Sequence, residues 1–245
     1  MLALLRKEIN SFFGSVTGYV VLIVFLSATG IIMWVLPGTD LNVLENGYAT
    51  MDSLFIMAPW LFLFLIPAIT MKMFSEELKS GTIELLLTKP VTEMQIVTAK
   101  YAAGLVLVLF AILPTLVYYL CIYLIASPAG NVDSAGIAGS YLGLLFLCSG
   151  FVSIGVFCSS LSGNQIVAFI LAVILSYFFL SGFELLSTVT GTSWLANLLS
   201  QAGIFAHYES LSRGVIDSRD LVYFASLTLL FLFLTHFMIE RRKRA

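Results

Sequence analysis

Six long stretches of the chain are predominantly apolar and contain no Asp, Glu, Lys or Arg. A helix needs about 20 such residues to cross the hydrocarbon core of a bilayer, and an isolated strand could not satisfy its backbone hydrogen bonds there. The pattern therefore predicts an all-α, polytopic membrane protein, with six transmembrane helices in a single domain over residues 1–245. The predicted spans are Val16–Leu36, Ser53–Met71, Ala102–Ala126, Ser140–Cys158, Ile166–Phe183 and Leu221–Ile239.

The first 16 residues show a different periodicity. Apolar residues recur at positions 2, 5, 9, 12 and 16, with charged and polar residues between them. Alternating spacings of three and four are typical of an amphipathic helix, which would lie along the membrane interface before the first span. A simple orientation signal at the N-terminus is an equally compatible interpretation.

Lysine and arginine are distributed unevenly between the two sides of this predicted bundle. If the N-terminus is cytoplasmic, ten of the 12 basic residues fall in inner segments, and only Arg213 and Arg219 fall outside. Because inner loops carry the excess of basic residues, we expect both termini to be cytoplasmic. The expected location is the cytoplasmic (inner) membrane of a bacterium.

Composition narrows the classes of function. The chain is 60% hydrophobic and 11% charged, with a mean hydropathy of +1.02, which excludes a soluble enzyme or DNA-binding domain. The net charge of −2 gives no general attraction to nucleic acid. The predicted spans contain no acidic residue, which argues against an ion-driven carrier. No metal site is predicted, because the three cysteines lie inside apolar runs.

The segment 75–101, between the second and third spans, is rich in residues that begin and end helices. It predicts two short, rigid helices on the cytoplasmic side, followed by a helix that runs through Lys100 into the third span. The predicted boundaries are Ser75 as the first cap, Gly81 as a left-handed stop, Thr82 as the second cap, Pro90 as the second stop, and Thr92 with Gln95 as a capping box.

This segment, E-E-x-x-x-G-T-I-E-L-L-x-x-x-P-V from Glu76 to Val91, resembles the ABC transporter permeases of the type-2 class. The resemblance covers the whole chain and includes the inner turn S-S-L-S-G-N-Q (159–165) and the later G-V-I-D-S-R-D-L-V-Y-F (214–224). Within the class, the chain is most similar to the permease subunit of the gliding-motility ABC transporter.

The resemblance implies that the loop between spans two and three docks into a groove of a separate ATPase. It also implies two ATPase chains and a second permease chain, identical or related. A linker that packs only on its own protein is the alternative. The implied ATPase-coupling residues are Glu76, Glu77, Lys79, Gly81, Thr82, Glu84, Leu85, Lys89 and Pro90.

No cofactor is expected on this chain. It contains no G-x-x-x-x-G-K-[ST] motif to hold nucleotide phosphates, so ATP and Mg²⁺ would bind to the partner.

The inner turn 159–165 is a candidate second ATPase contact through Ser162, Asn164 and Gln165. A plain polar turn whose residues cap the adjacent helices explains it equally well.

The predicted outer segment from Glu184 to Asp220 is too apolar for a free loop. Its piece S-W-L-A-N-L-L predicts an interfacial helix anchored by Trp194, and the family resemblance implies a re-entrant helical pair that caps the outer end. The candidate cap residues are Trp194, His207, Gly214 and Asp220. We expect the polar ones to be solvated loop groups in preference to a metal cluster.

The resulting hypothesis is the permease subunit of an ATP-driven transporter of the export type, in contact with the lipid bilayer. The main alternative is a membrane scaffold or assembly factor without transport. A membrane enzyme is disfavoured, because no nucleophile–base or H-E-x-x-H pattern is present.

Overall fold

The described part of the chain, residues 2–45, 47–88, 91–189, 193–215 and 217–244 of a computed structural model, is helical and contains no strand. It also contains a 3₁₀ turn (Leu113–Thr115) and a π-helical segment (Phe178–Gly182). The helices are α1 Leu2–Phe13, α2 Val16–Trp34, α3 Asp52–Thr70, α4 Lys72–Ser80, α5 Thr82–Leu87, α6 Glu93–Ile112, α7 Leu116–Ile125, α8 Ser134–Leu161, α9 Gln165–Tyr177, α10 Phe183–Val189, α11 Ser193–Ala202, α12 Ile204–Ser212 and α13 Ser218–Arg244.

Six helical stretches are long and apolar enough to cross a membrane, which confirms the predicted number of spans among the described residues. Several are longer than predicted. The second runs from Asp52 to Ser80 over 29 residues, about 43 Å at 1.5 Å per residue. A hydrocarbon core is only about 30 Å thick, so this stretch is longer than a perpendicular crossing requires.

Helices α3 and α8 form the centre of the bundle. The most apolar windows of their stretches are 67% and 72% buried, whereas those of the other four stretches are 22–33% buried. These four present apolar side chains outward, as Ile166, Ile170 and Ile174 do along α9. Such a surface is typical of helices that contact lipid or another membrane helix.

Helices α3 and α8 approach closely at Gly155. A Cβ atom on Gly155 would lie 2.1 Å from the Thr70 hydroxyl oxygen, too close for any real side chain. Elsewhere on α8, a Cβ atom on Gly150 would lie 3.1 Å from the end of the flexible Leu227 side chain. The contact at Gly155 therefore needs a residue without a side chain, and the contact at Gly150 is more tolerant.

We predict that Gly155→Ala destabilises the protein by about 1–3 kcal/mol, because the added methyl group overpacks a rigid contact. Thermal unfolding in detergent or nanodiscs measures this effect. Gly150→Ala is the matched control and should change stability much less. Adding Thr70→Ala to Gly155→Ala removes the clashing oxygen and should restore part of the loss; an unrescued double variant contradicts the assignment.

Both chain ends lie at the same end of the bundle. Helix α1 packs along α6, and the Lys7 ammonium lies 2.6 Å from Glu77 of α4. The Arg242 guanidinium of α13 donates to the Leu161 carbonyl at 3.2 Å. The expected N-terminal helix is thus present, whereas its interfacial position and the cytoplasmic location of this end stay predictions.

Candidate functional site

Helix α4 continues the path of α3 after an interruption at Met71. The backbone N–H groups of Phe74 and Ser75, in the first turn of α4, donate to the Ser159 hydroxyl at 2.9 and 3.2 Å. Ser159, which is fully buried on α8, in turn donates to the Met71 carbonyl at 3.0 Å. A side chain from the central helix therefore caps α4 across the helix interface.

The prediction that Ser75 caps this helix is wrong. Ser75 lies within α4, where its hydroxyl donates to the Met71 carbonyl one turn earlier. The expectation failed because the first short helix begins at Lys72 and its cap comes from α8, 84 residues away in the sequence.

Gly81 ends α4 in the left-handed conformation that the sequence predicts, with φ of +71°. It also occupies the cap position of α5, so the prediction that Thr82 caps this helix is wrong. The Thr82 hydroxyl instead lies 2.8 Å from that of Ser80. The capping box of Thr92 and Gln95 at the start of α6 is confirmed.

Most of the predicted ATPase-coupling residues are exposed on α4 and α5, and we call this set of residues the coupling face. Leu85 is 67% exposed and follows the exposed Glu84, whereas Ile83 of the same helix is buried. Lys89 and Pro90 lie outside the described residues. The coupling face consists of Glu76, Lys79, Gly81, Thr82, Glu84 and Leu85.

The predicted second inner contact lies beside this surface. A Cβ atom on Gly163 would be 3.4 Å from the backbone nitrogen of Lys79, so the turn 162–164 packs against the end of α4. Asn164 caps α9 by accepting from the Ile166 N–H at 2.9 Å, and its own N–H donates to Ser162 at 3.1 Å. Gln165 is the first residue of α9. The capping role is thus confirmed, and contact with an ATPase stays a prediction.

Glu77 does not belong to the coupling face, because its side chain turns inward. It is 7% exposed and joins a cluster of two acids and two bases, Lys7, Glu8, Glu77 and Lys100, which we call the Lys100 cluster. The sequence alone does not show which face of α4 is covered, so the inward turn of Glu77 is not predictable from it.

Lys100 is the centre of this cluster and is fully buried. Its ammonium lies 2.7 Å from the Glu8 carboxylate and 3.0 Å from that of Glu77. It also donates to the Met73 carbonyl and lies 4.9 Å from the centre of the Phe74 ring. A buried charge is tolerated only with partners of this kind, so α1, α4 and α6 must stay in register around it.

Lys7 closes the cluster on its solvent side. Its burial lowers the pKa of the ammonium, but the hydrogen bond and the charge of Glu77, with Glu8 and Glu76, outweigh this and raise the pKa above its ordinary 10.5. With its pKa raised, Lys7 contributes fully to stability below about pH 10.5 and loses the contribution only at higher pH. Lys7 therefore stays charged at neutral pH.

The residues predicted for the outer cap lie at the opposite end of the bundle. The Tyr208 hydroxyl of α12 donates to the Phe55 carbonyl near the start of α3 at 2.8 Å. Trp194 of α11 is 67% exposed, and α11 itself confirms the helix predicted there. Gly214 has φ of +78° and packs against the start of α8 at Gly136.

The structure brings His207 and Asp220 together. The His207 Nδ1 atom lies 2.7 Å from an Asp220 carboxylate oxygen, and Asp220 is only 6% exposed. The expectation of solvated loop groups is wrong for this pair, because α12 and α13 pack together and cover it. No group of three or more metal-ligating side chains occurs among the described residues.

A comparison with known families decides the class. The sequence profile of the ABC-2 family transporter proteins matches residues 40–239, which span the coupling face, the central helices and the outer cap. The chain belongs to the ABC-2 transporter family. This ABC-2 protein is a permease component of the membrane part of a transporter, and its family implies an ABC ATPase partner.

A search of curated proteins found no match. The family match is to ABC-2 transporters as a whole, so the gliding-motility subgroup stays a prediction from resemblance.

Sequence reasoning missed Lys100 and Ser159 as structural centres of the permease. The burial pattern around Lys100 was present in the sequence, because it shares a helical stripe with Ile96, Ala103 and Leu107, all buried. A lysine in an apolar stripe signals a buried partner of opposite charge. No local signal identifies Ser159, whose partners lie on α4.

We predict that Lys100→Met destabilises the permease by about 3–5 kcal/mol, because it leaves two buried carboxylates with one cation. The free energy of unfolding in denaturant measures this loss. Adding Glu8→Gln restores charge balance and should recover much of it. Lys79→Met, at an exposed lysine, is the control and should cost less than about 0.5 kcal/mol. Equal losses for Lys100→Met and Lys79→Met would contradict the assigned cluster.

Proposed function

We propose that this chain is the membrane-spanning subunit of an ATP-driven ABC exporter, energised by a separate ATPase that docks on the coupling face. The observation that supports this most strongly is the continuity of the exposed α4–α5 segment with α3, and its attachment to α6 through Lys100. A force applied to α5 would be transmitted to α3 and α6 without passing through a flexible loop.

The coupling face has the chemistry of a docking surface. Leu85 supplies an exposed apolar anchor on α5, and the exposed Glu76, Lys79 and Glu84 of the same two helices carry charges of both signs. Apolar anchors with charged rims are typical of specific protein–protein contacts. The turn 162–164 packs beside α4 and would extend the same contact.

The complete transporter would contain two ATPase chains, which bind ATP and Mg²⁺, and a second permease chain, identical or related. The exposed apolar sides of α2 and α9 are available for lipid and for that chain. We place the complex in the bacterial cytoplasmic membrane with the coupling face in the cytosol, and we retain gliding motility as the proposed process. The alternative of a scaffold without transport predicts no ATP hydrolysis coupled to this chain.

We predict that a photo-crosslinking amino acid at position 85 captures an ABC ATPase in the native host, because Leu85 is the exposed apolar anchor. Mass spectrometry of the crosslinked product identifies the partner by its phosphate-binding loop. The same probe at Tyr48, which is 75% exposed at the opposite end of the bundle, is the control. Capture from Tyr48, or of unrelated proteins alone from Leu85, contradicts the docking site.

We predict that Glu84→Lys lowers the amount of co-purifying ATPase by about tenfold, equivalent to about 1.4 kcal/mol, while the protein still inserts in the membrane. Glu184→Lys reverses an exposed charge at the other end and should leave co-purification unchanged. Undiminished co-purification with Glu84→Lys argues against docking through α5. If the ATPase binds but ATP hydrolysis never responds to the permease, the scaffold alternative is favoured.

A further inference from the structure

The His207 ring lies between two hydrogen-bond acceptors from different parts of the chain. Its Nδ1 atom is 2.7 Å from an Asp220 carboxylate oxygen, and its Nε2 atom is 2.9 Å from the Gln201 carbonyl oxygen. A carbonyl oxygen only accepts, so Nε2 must carry a proton to bond with it. A proton is also needed between Nδ1 and the carboxylate.

A neutral histidine paired with an ionised Asp220 has one N–H for these two acceptors. It could keep the bond to Asp220 or the bond to Gln201, and the other nitrogen would direct a lone pair at an oxygen. The imidazolium form has two N–H donors and satisfies both. The observed geometry therefore fits the protonated ring facing an ionised carboxylate.

The position of the ring at the end of α11 favours positive charge further. Gln201 and Ala202 are its last two residues, where helix carbonyls lack intrahelical partners and carry partial negative charge. The His207 Nε2 atom bonds to the Gln201 carbonyl oxygen, and the Tyr223 hydroxyl donates to the Ala202 carbonyl oxygen at 2.8 Å. Tyr223 also stacks on the His207 ring with a centroid distance of 4.0 Å.

Other charged groups lie near His207 on α12 and α13. Glu209 and Arg213 pair with each other at 2.5 Å, and Asp220 also accepts from Ser210 at 2.5 Å. Among the described residues, the only ion pair of His207 is with Asp220. The titratable residues on the elements that pack on α12 are, besides Asp220, Arg219 and Tyr223 at this end of α13, Asp52 on α3, and Tyr141, Cys148 and Cys158 on α8; α11 and the π-helical segment have none.

These contacts join three consecutive helices at the end of the bundle remote from the coupling face. The pair of His207 and Asp220 holds α12 to α13, and the bond to Gln201 holds the end of α11 to both. Helix α12 also reaches the centre, where Tyr208 bonds to Phe55 of α3 and Leu211 packs on Gly143 of α8. The donors of one imidazole ring therefore tie the α11–α12 corner to α13, beside the bond from Tyr223 to Ala202.

We propose that His207 and Asp220 form a proton-operated latch at this end of the permease. With the imidazolium present, the latch is closed and α11, α12 and α13 are held together. Loss of one proton from the ring leaves one acceptor without a donor, and the corner between α11 and α12 is released. The latch depends on this local geometry alone and stands whether or not an ATPase docks on the coupling face.

The test uses the full chain in lipid nanodiscs with ¹⁵N-labelled histidine. The chain contains two histidines, His207 and His236, so a His207→Gln sample assigns the two signals. The ¹⁵N shifts report the protonation of each ring nitrogen between about pH 5.5 and about pH 9. Hydrogen–deuterium exchange of peptides covering 193–212, corrected for the intrinsic effect of pH, reports whether the corner is closed.

We expect both His207 nitrogens to be protonated when the corner is protected, and protection to fall with the same midpoint as the ring titration. Asp220→Asn should leave the corner less protected at every pH tested, because it removes the carboxylate that faces the ring. Glu209→Gln removes an exposed carboxylate from the same helix and should leave the protection unchanged.

Four results would overturn the latch, and the native sequence alone can give the first three. One is a corner whose protection does not follow the His207 titration. Another is a neutral His207 ring while the corner is protected, and a third is a ring whose protonation never changes over the range tested. The fourth is equal protection of the corner in the Asp220→Asn and Glu209→Gln samples.

Discussion

The buried ammonium of Lys100 is the interaction on which the inner end of this permease depends. A lysine without solvent access needs anionic partners, and here they come from α1 and α4, while the lysine itself belongs to α6. Removing the charged side chain that any one of these three helices contributes leaves the other two with an uncompensated buried ion. The cluster thus links the N-terminal helix, the coupling segment (α4 and α5, Lys72–Leu87) and the third span. It does so more strictly than apolar packing could, because apolar surfaces can slide past one another.

A small number of polar and close-packed contacts also holds α4 to the centre of the bundle. Ser159 of α8 bonds to the free N–H groups at the start of α4, and Gly155, one turn earlier, allows α3 to approach α8 at Thr70. The coupling segment is therefore held by α8 on one side and by Lys100 on the other. Its exposed residues remain available for a partner, which is the arrangement expected of an element that transmits force.

The fold was predictable from the sequence to the extent that it follows from local patterns. The number of spans, the N-terminal helix, the Gly81 stop and the Thr92–Gln95 capping box all depend on residues close in sequence, and all are confirmed. The wrong assignments of Ser75 and Thr82 had the same local basis but met a long-range contact or a competing glycine. The inward turn of Glu77 and the pairing of His207 with Asp220 depend on which helices pack together, which no local pattern encodes.

Because Lys100 joins α4 to α1 and α6, we expect α4 and α5 to move with α1 and α6 as one body. The distance distribution between spin labels at Leu85 of α5 and Asn10 of α1, in a background without the three native cysteines, measures whether they do. We expect a narrow distribution in the otherwise native chain and a broad one after Lys100→Met with Glu8→Gln. The same narrow distribution in both proteins would contradict it.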